Sequence, residues 1–292
     1  MKKIRILIPV YNDWLSVFKL IKNINSEVFK LEADFSATIV NDASTEDRPE
    51  FLVNLDNLKF VEIINMKENK GHARCNAAGL KYIHEKEDFD YIIPMDGDGE
   101  DRPEELKLLI EKIKDYPGAV ITANRVKRSE GFIFKFCYLT HKYLTFIFTG
   151  QSIKYGNYTC LPKSIVNEIV NEPATWNSFS GSLAKIAKDR KSIRSERGTR
   201  YFGPSKMSFI NLLKHSLAIM AVFKETLLIR SVIFILFYGF ATSDTFSILI
   251  TTPLLLTMSM ILSVYLISTR ENMTEFDNSL NNIKNINDIK SK

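Results

Sequence analysis

At 292 residues the chain is long enough for one large domain, or for a domain with an appendage. A hydrophobic fraction of 45% beside 25% charged residues excludes a disordered chain. The net charge of +5 is mild and its basic residues concentrate between Lys185 and Lys206, which points to an anionic ligand or a membrane surface and away from a protein that coats nucleic acid.

The start, Met1-Lys2-Lys3, has the charge of a signal peptide, but the apolar run Ile4–Val10 is short, is broken by Arg5 and leads into Asn12-Asp13. It therefore reads as a first strand. Ala37–Val40, Phe60–Ile64, Tyr91–Met95 and Ala119–Thr122 read as further strands, and Trp14–Ile24, His72–His84 and Glu104–Lys114 carry apolar residues at helical spacing between them. Strand and helix in alternation imply βαβ units and an α/β fold with a mainly parallel, doubly wound sheet. Cys75, Cys137 and Cys160 are odd in number and lack metal-ligand spacing, and four scattered histidines form no paired-ligand motif.

The later part of the chain differs. After an amphipathic juxtamembrane helix expected over 207–225, two apolar segments follow, about 226–242 and 246–268. Phe246–Ser268 has no charge across 23 positions, about 34 Å as a helix and enough to span a bilayer. The earlier segment carries Arg230 near its amino end, where a guanidinium can snorkel to the interface. Together they read as a transmembrane hairpin, with 269–292 as a polar cytoplasmic tail. Basic residues on both flanks place both ends, and the domain over residues 1–206, on the cytoplasmic face of the inner membrane.

Four turns of the first part carry chemistry. Pro9-Val10-Tyr11-Asn12-Asp13 follows the first strand. Val40-Asn41-Asp42 ends the second, placing Asp42 at a carboxyl edge where it could accept hydrogen bonds from a base or ribose; the alternative is an ordinary helix start capped by Ser44 or Thr45. Asn69-Lys70-Gly71-His72-Ala73-Arg74 opens a helix whose amino terminus, with Lys70 or Arg74, favours phosphate. The densest feature is Asp96-Gly97-Asp98-Gly99-Glu100-Asp101 after Tyr91–Met95. Carboxylates so spaced at a strand's end can share Mg²⁺ along with substrate phosphates. Asp101, before Arg102-Pro103, is expected to cap the next helix.

In that order, "PVYND", "VNDASTED", "NKGHARCNAAGL" and "MDGDGEDRPEEL" resemble glycosyltransferase family 2, over about residues 3–125. The resemblance implies a GT-A nucleotide-binding fold and inverting transfer from a nucleotide-diphosphate sugar. It makes Asp96 and Asp98 the DxD motif facing Mg²⁺ or Mn²⁺, and gives donor contacts to Pro9, Tyr11, Asn12, Asp42, Lys70, Gly71, Arg74 and Gly97. Asn124-Arg125-Val126-Lys127-Arg128 and the run from Arg197 to Lys206 are similar to polyprenyl-phosphate glycosyltransferases of the dolichyl-phosphate mannosyltransferase type. By that likeness Arg125, Arg128, Arg197 and Ser205 bind substrate, Arg200 and Lys206 are catalytic, and the acceptor is a polyprenyl phosphate for cell-envelope glycan synthesis. It also points to homo-oligomers, which no motif here specifies. One stretch departs from the pattern: Ile153–Leu161 keeps Gly156 and Tyr158 but lacks the expected acids and Arg, so a lipid-linked sugar or polysaccharide hydroxyl stays open as acceptor, and no base stands out among Glu130, Glu168, Glu172, Asp189 and Glu196. A pyrophosphorylase would need a Gly-rich loop that Pro9–Asp13 does not offer, and a non-catalytic membrane adaptor would not need Asp42, Asp96 and Asp98 intact.

Overall fold

The computed structural model describes residues 1–51, 53–127, 132–204, 209–244 and 247–290. In chain order its elements are β1 (Lys2–Val10), α1 (Trp14–Val28), β2 (Ala33–Asn41), β3 (Val61–Met66), α2 (His72–Lys86), β4 (Tyr91–Pro94), α3 (Leu106–Asp115), β5 (Val120–Lys127) and α4 (Phe132–Thr149). Then follow β6 (Thr159–Pro162), α5 (Lys163–Val170), α6 (Phe179–Ile186), β7 (Arg190–Glu196), α7 (Phe209–Ala221), α8 (Lys224–Ala241), α9 (Ile248–Ser268), α10 (Met273–Asp277) and β8 (Ile283–Lys290). They form two compact units, one of Met1–Arg128, Lys154–Lys206 and Asn272–Lys292, the other of Ser129–Ile153 and Met207–Glu271.

The first unit is an eight-stranded sheet in the order β7-β5-β6-β4-β1-β2-β3-β8. β1 pairs in parallel with β2 and β4, and β2 with β3. Every residue from Ile4 to Val10 is buried, as a central parallel strand covered on both faces requires. Helix α1 presents Trp14, Val17, Phe18, Ile21 and Ile24 to the core, and α3 presents Leu106, Leu109, Ile110 and Ile113. The buried exception is Arg5, whose Nε lies 2.7 Å from Glu87 and whose guanidinium stacks 4.8 Å from the Phe60 ring. On α2, a Cβ at Gly79 would meet Leu7 Cδ1 at 2.4 Å. Its absence lets the helix settle onto β1 and β2, and so sets where the start of α2 stands beside the strand ends.

The polar stretch after Arg270 is not a free tail. α10 packs against α2, and β8 adds antiparallel to β3, with Ile64 opposite Ile286 and Asn65 opposite Asn285. Asn65 donates to Asn285 and Asn287 at 2.8 and 2.7 Å, so the polarity that suggested a solvated end instead ladders amides across a sheet edge.

The second unit is helical. α8 packs on α4 and α9, and α7 on α9. Phe148, Met220, Ala221, Leu227 and Val264 form its small core. Arg230 donates to the carbonyls of Phe146 and Ile147 at 3.3 and 2.9 Å, which supplies acceptors for a cation in an apolar helix and closes the carboxyl end of α4. Among the described residues a single helix, the one beginning at Ile248, is long and apolar enough to cross a membrane. The expected second span, α8, falls short because its 18 residues include Lys224, Glu225 and Arg230.

Candidate active site

Parallel pairing brings the carboxyl ends of β1, β2 and β4 to one edge of the sheet, where open α/β sheets bind ligands. Beyond β4 the chain turns through Asp96, Gly97 and Asp98. Asp101, expected to cap the following helix, does not: its side chain turns back, accepting from the Asp96 amide at 2.9 Å and from Arg125 at 3.4 Å. This closes the acidic turn on itself, and the Tyr158 hydroxyl fastens it from outside by donating to the Arg102 carbonyl at 2.9 Å.

Asp96 accepts from the Asn157 amide at 2.8 Å, lies 3.5 Å from His72 Nε2, and has Arg125 Nη2 at 3.9 Å. Burial pushes its carboxyl up, but His72, Arg125 and Asn157 outweigh burial and hold it below the usual carboxylate range. Asp98 fares otherwise. Burial, and then the charge of Asp96, push it up to about 6, against the opposing pull of the Glu100 amide and Arg200. For the same two reasons Asp101 is pushed up to about 7. Neighbouring carboxyl groups with separated affinities for a proton are a mark of functional sites.

The segment after β7 lies over this turn. Gly198 donates to the Glu100 carbonyl at 2.8 Å and Tyr201 to the Asp98 carbonyl at 3.0 Å. Arg197 pairs with Glu100, Nε to Oε2 at 2.7 Å. Arg200 bridges Asp98 at 2.5 Å and Asp13 at 2.9 Å. The Tyr201 ring covers Gly99, whose φ of +88° is open to glycine and whose missing Cβ would sit 2.5 Å from the ring.

At the end of β2, both oxygens of Asp42 are engaged, accepting from the Lys70 and Gly71 amides at 2.9 and 2.8 Å. Burial raises its carboxyl, opposed by those two hydrogen bonds. Asn12, with φ of +52°, accepts from the Thr45 and Glu46 amides at 2.8 and 3.0 Å and so braces the first turn against the second. Pro9 is buried and Tyr11 exposed. Past Asp42 opens a cavity of about 510 Å³ that Lys70, Arg74, Trp176 and Glu275 help to line.

The residues singled out in the sequence thus divide. Asp96, Gly97, Asp98, Arg125, Arg197 and Arg200 gather on the acidic turn, with Asp13 and Asn12 beside it. Lys70 and Arg74 turn to the cavity, where Glu275 meets them at 3.9 and 3.1 Å. Arg128, Glu130, Ser205 and Lys206 lie outside the described residues. Glu172 pairs with Lys185 and Asp189 with Lys191, both at 2.9 Å. Sequence reading missed Asp13, His72, Asn157 and Glu275 as site neighbours. His72 and Asn157 stood inside stretches already noted, and Glu275 had no local signal at all.

Residues 5–164, more than half of the chain, match the model of glycosyl transferase family 2. Among solved structures, the chain is similar to glucosyl-3-phosphoglycerate synthase from Mycobacterium tuberculosis in complex with Mn²⁺, UDP-glucose and phosphoglyceric acid, at 12% identity and a TM-score of 0.56, over 77% of this chain and 80% of that one. It is similar to mannosyl-3-phosphoglycerate synthase from Rubrobacter xylanophilus at 13% identity and a TM-score of 0.55, over 76% and 72%. It is also similar to S. aureus TarS in complex with UDP-GlcNAc, at 12% identity and a TM-score of 0.50, over 96% and 92%. Likenesses of this depth speak to the fold, the GT-A arrangement of a mixed sheet.

Proposed function

Since the chain belongs to glycosyl transferase family 2, we propose that it moves a sugar from a nucleotide-diphosphate donor to a polyprenyl phosphate at a membrane surface. The observation that carries this reading is the acidic turn at the end of β4, with Asp96 and Asp98 side by side and cationic groups around them.

The donor set suits a divalent cation. Two aspartates give hard oxygen ligands, and Mg²⁺ or Mn²⁺ held jointly with substrate phosphate oxygens needs only one or two carboxylates from the protein. Asp98, raised to about 6 while held by Arg200, is a carboxylate whose charge a cation would satisfy. The neighbour from Mycobacterium tuberculosis was solved with Mn²⁺ and a nucleotide sugar. When bound, the metal would stabilise negative charge on the departing diphosphate. Asp96 and Asp98 would hold it, while Asn157 and Arg125 fix Asp96 in place. Asp42, by gripping the Lys70 and Gly71 amides, shapes the loop against which the nucleoside rests.

The acceptor oxygen attacks the anomeric carbon as the bond to the diphosphate oxygen breaks, and that oxygen keeps the electron pair. A phosphate oxygen is already anionic near neutral pH, so the reaction needs no proton acceptor. The lipid acceptor is supported by the apolar helix starting at Ile248 and by the outward Leu228, Ile233, Phe237 and Phe240 of α8. The test is transfer of labelled sugar from a panel of nucleotide sugars, with Mn²⁺ or Mg²⁺, into polyprenyl phosphate, run beside Asp98→Ala. Metal-dependent label in an acid-labile lipid is expected. Metal-dependent donor hydrolysis without lipid label would reassign the acceptor, and a fully active Asp98→Ala would remove the metal step.

A further inference from the structure

The cavity beside Asp42 is built from two distant parts of the chain. One wall is the loop from β3 into α2; the other is residues 272–282, which arrive only after the helical unit. At about 510 Å³ it has the size of a small-ligand site. Its charges decide what it can take. Lys67, Lys70 and Arg74 face Asp42, Glu68 and Glu275, three cations against three carboxylates. A phosphate would find no net attraction there. Asn278 spends both ends of its amide within the wall, but Asn272, Asn281 and Asn282 spend one end each, and the opposite ends, the Asn272 nitrogen and the Asn281 and Asn282 oxygens, offer a donor and acceptors to an uncharged group.

Glu275 is the centre of this wall. Its carboxylate accepts from Trp176 Nε1 at 2.9 Å, lies 3.1 Å from Arg74 and 3.9 Å from Lys70. Arg74 stacks 5.3 Å from the Trp176 ring, and Phe276 stacks on the same indole at 5.3 Å. The ends of the wall are tied down as well. Lys81 bonds Asp277 at 3.0 Å, the Asn282 amide donates to the Glu68 carbonyl at 3.0 Å, and the Lys67 amide donates to the Asn282 carbonyl at 2.7 Å. So Glu275 faces Arg74, the cation of α2's first turn, and shares Lys70 just before that turn with Glu68, which is nearer at 3.0 Å, while His72, on another face of the turn, looks toward Asp96.

We propose that residues 272–282 form one wall of the nucleoside subsite, receiving the uncharged base and ribose of a nucleoside diphosphate, and that Glu275 is its positioning and specificity residue. This rests on the transferase reading above. By setting Arg74 and opposing its charge, as Glu68 does for Lys70, Glu275 makes the subsite choose among bases and keeps phosphate on the Asp96 side.

The test uses the full chain in detergent with Mn²⁺ and titrates UDP, GDP, CDP, TDP and inorganic pyrophosphate by calorimetry. Glu275→Gln keeps an acceptor for Trp176 but removes the negative charge that faces Arg74 at 3.1 Å. It is expected to weaken the preferred nucleotide about tenfold, flatten the differences among the four, and leave pyrophosphate unchanged or tighter. Arg74→Gln combined with Glu275→Gln restores the charge balance and should recover part of the preference. A purely structural role would lower the melting temperature and weaken all ligands alike, and that outcome, or an unchanged ranking, overturns the proposal. If the wild-type chain binds no nucleoside diphosphate, both this proposal and the transferase reading fall; if it binds them and Glu275→Gln changes nothing, only this one does.

Discussion

Arg200 donates to Asp98 across 2.5 Å, and both side chains are more than four-fifths buried. The guanidinium stands where a cation is wanted, with its other nitrogen on Asp13 at 2.9 Å. Arg200 was expected to face the acceptor phosphate; in this state it is a counter-ion of the acidic turn.

Metal and Arg200 should therefore compete for Asp98. A hydrogen bond between charged groups contributes about 1.5–3 kcal/mol, so Arg200→Ala should tighten Mn²⁺ binding to the donor-free protein by about tenfold or more. Turnover should fall at the same time if Arg200 later meets the acceptor. Manganese titration by electron paramagnetic resonance reads the first effect independently of activity. Unchanged or weaker affinity would show that the two do not exclude each other.

Asp98→Ala should lower turnover by about 10²–10³-fold, the scale seen on losing one electrostatic contact to a developing charge. Asp98→Asn should do nearly as badly, because the amide keeps the shape and loses the charge. Steady-state transfer assays with saturating Mn²⁺ would measure both, and an active Asp98→Asn would argue that shape alone suffices.

The raised carboxyls set a pH dependence for the metal-free protein. An aspartate in an unfolded chain titrates near 3.9, whereas Asp98 titrates at about 6 and Asp101 at about 7 in the fold. Between those values the native state keeps protons that the unfolded chain has released, so stability falls as pH rises from about 4 to about 7. The lowered Asp96 acts below that window. The melting temperature without metal should thus drop by several degrees over this range, and Asp101→Asn should flatten the upper part of the slope. A flat profile in wild type would contradict these assignments.

Gly99 sits at φ +88° beneath the Tyr201 ring. Gly99→Ala adds backbone strain of roughly 1–2 kcal/mol and a Cβ that overlaps the ring, so it should lift the 197–204 segment from the acidic turn. Turnover should fall about tenfold or more, as misplacement near the chemistry does. Adding Tyr201→Ala removes the overlap, and the pair should be more stable than the sum of the single losses. Strict additivity in thermal melts would place the segment elsewhere.

Legibility in the sequence followed the range of the interactions. β1, β4 and α2 could be read because apolar runs and helical spacing are local and both faces of the central strands are covered. β8 could not: Ile283-Lys284-Asn285-Ile286-Asn287 has neither strict alternation nor an apolar run, and its partner β3 is over two hundred residues away. The aspartates at the end of β4 were legible as a pair because their spacing carries the chemistry. What each one meets was not, since Asn157 and Arg200 arrive from later segments. The facing of Arg74 away from His72 was implicit in the helical phase, but not the carboxylate waiting there.

The return of β8 to the sheet also counts crossings. The chain leaves the sheet unit after β7 and comes back as α10 and β8, which is hydrogen-bonded to β3. A strand cannot pair with a sheet through a bilayer, so the stretch between must cross a membrane an even number of times. α9 cannot span alone, apolar as it is. Single cysteines at Ser243 and Asn285, labelled with an impermeant maleimide on intact cells, would read the count if β3 lies inside the cell: label at 243 but not at 285 then means two crossings, none at either means zero, and any label at 285 would break the pairing described here. If α9 inserts, a second segment between β7 and α10 must cross with it; should that be α8, its Arg230 would enter with its guanidinium already on the carbonyls of α4.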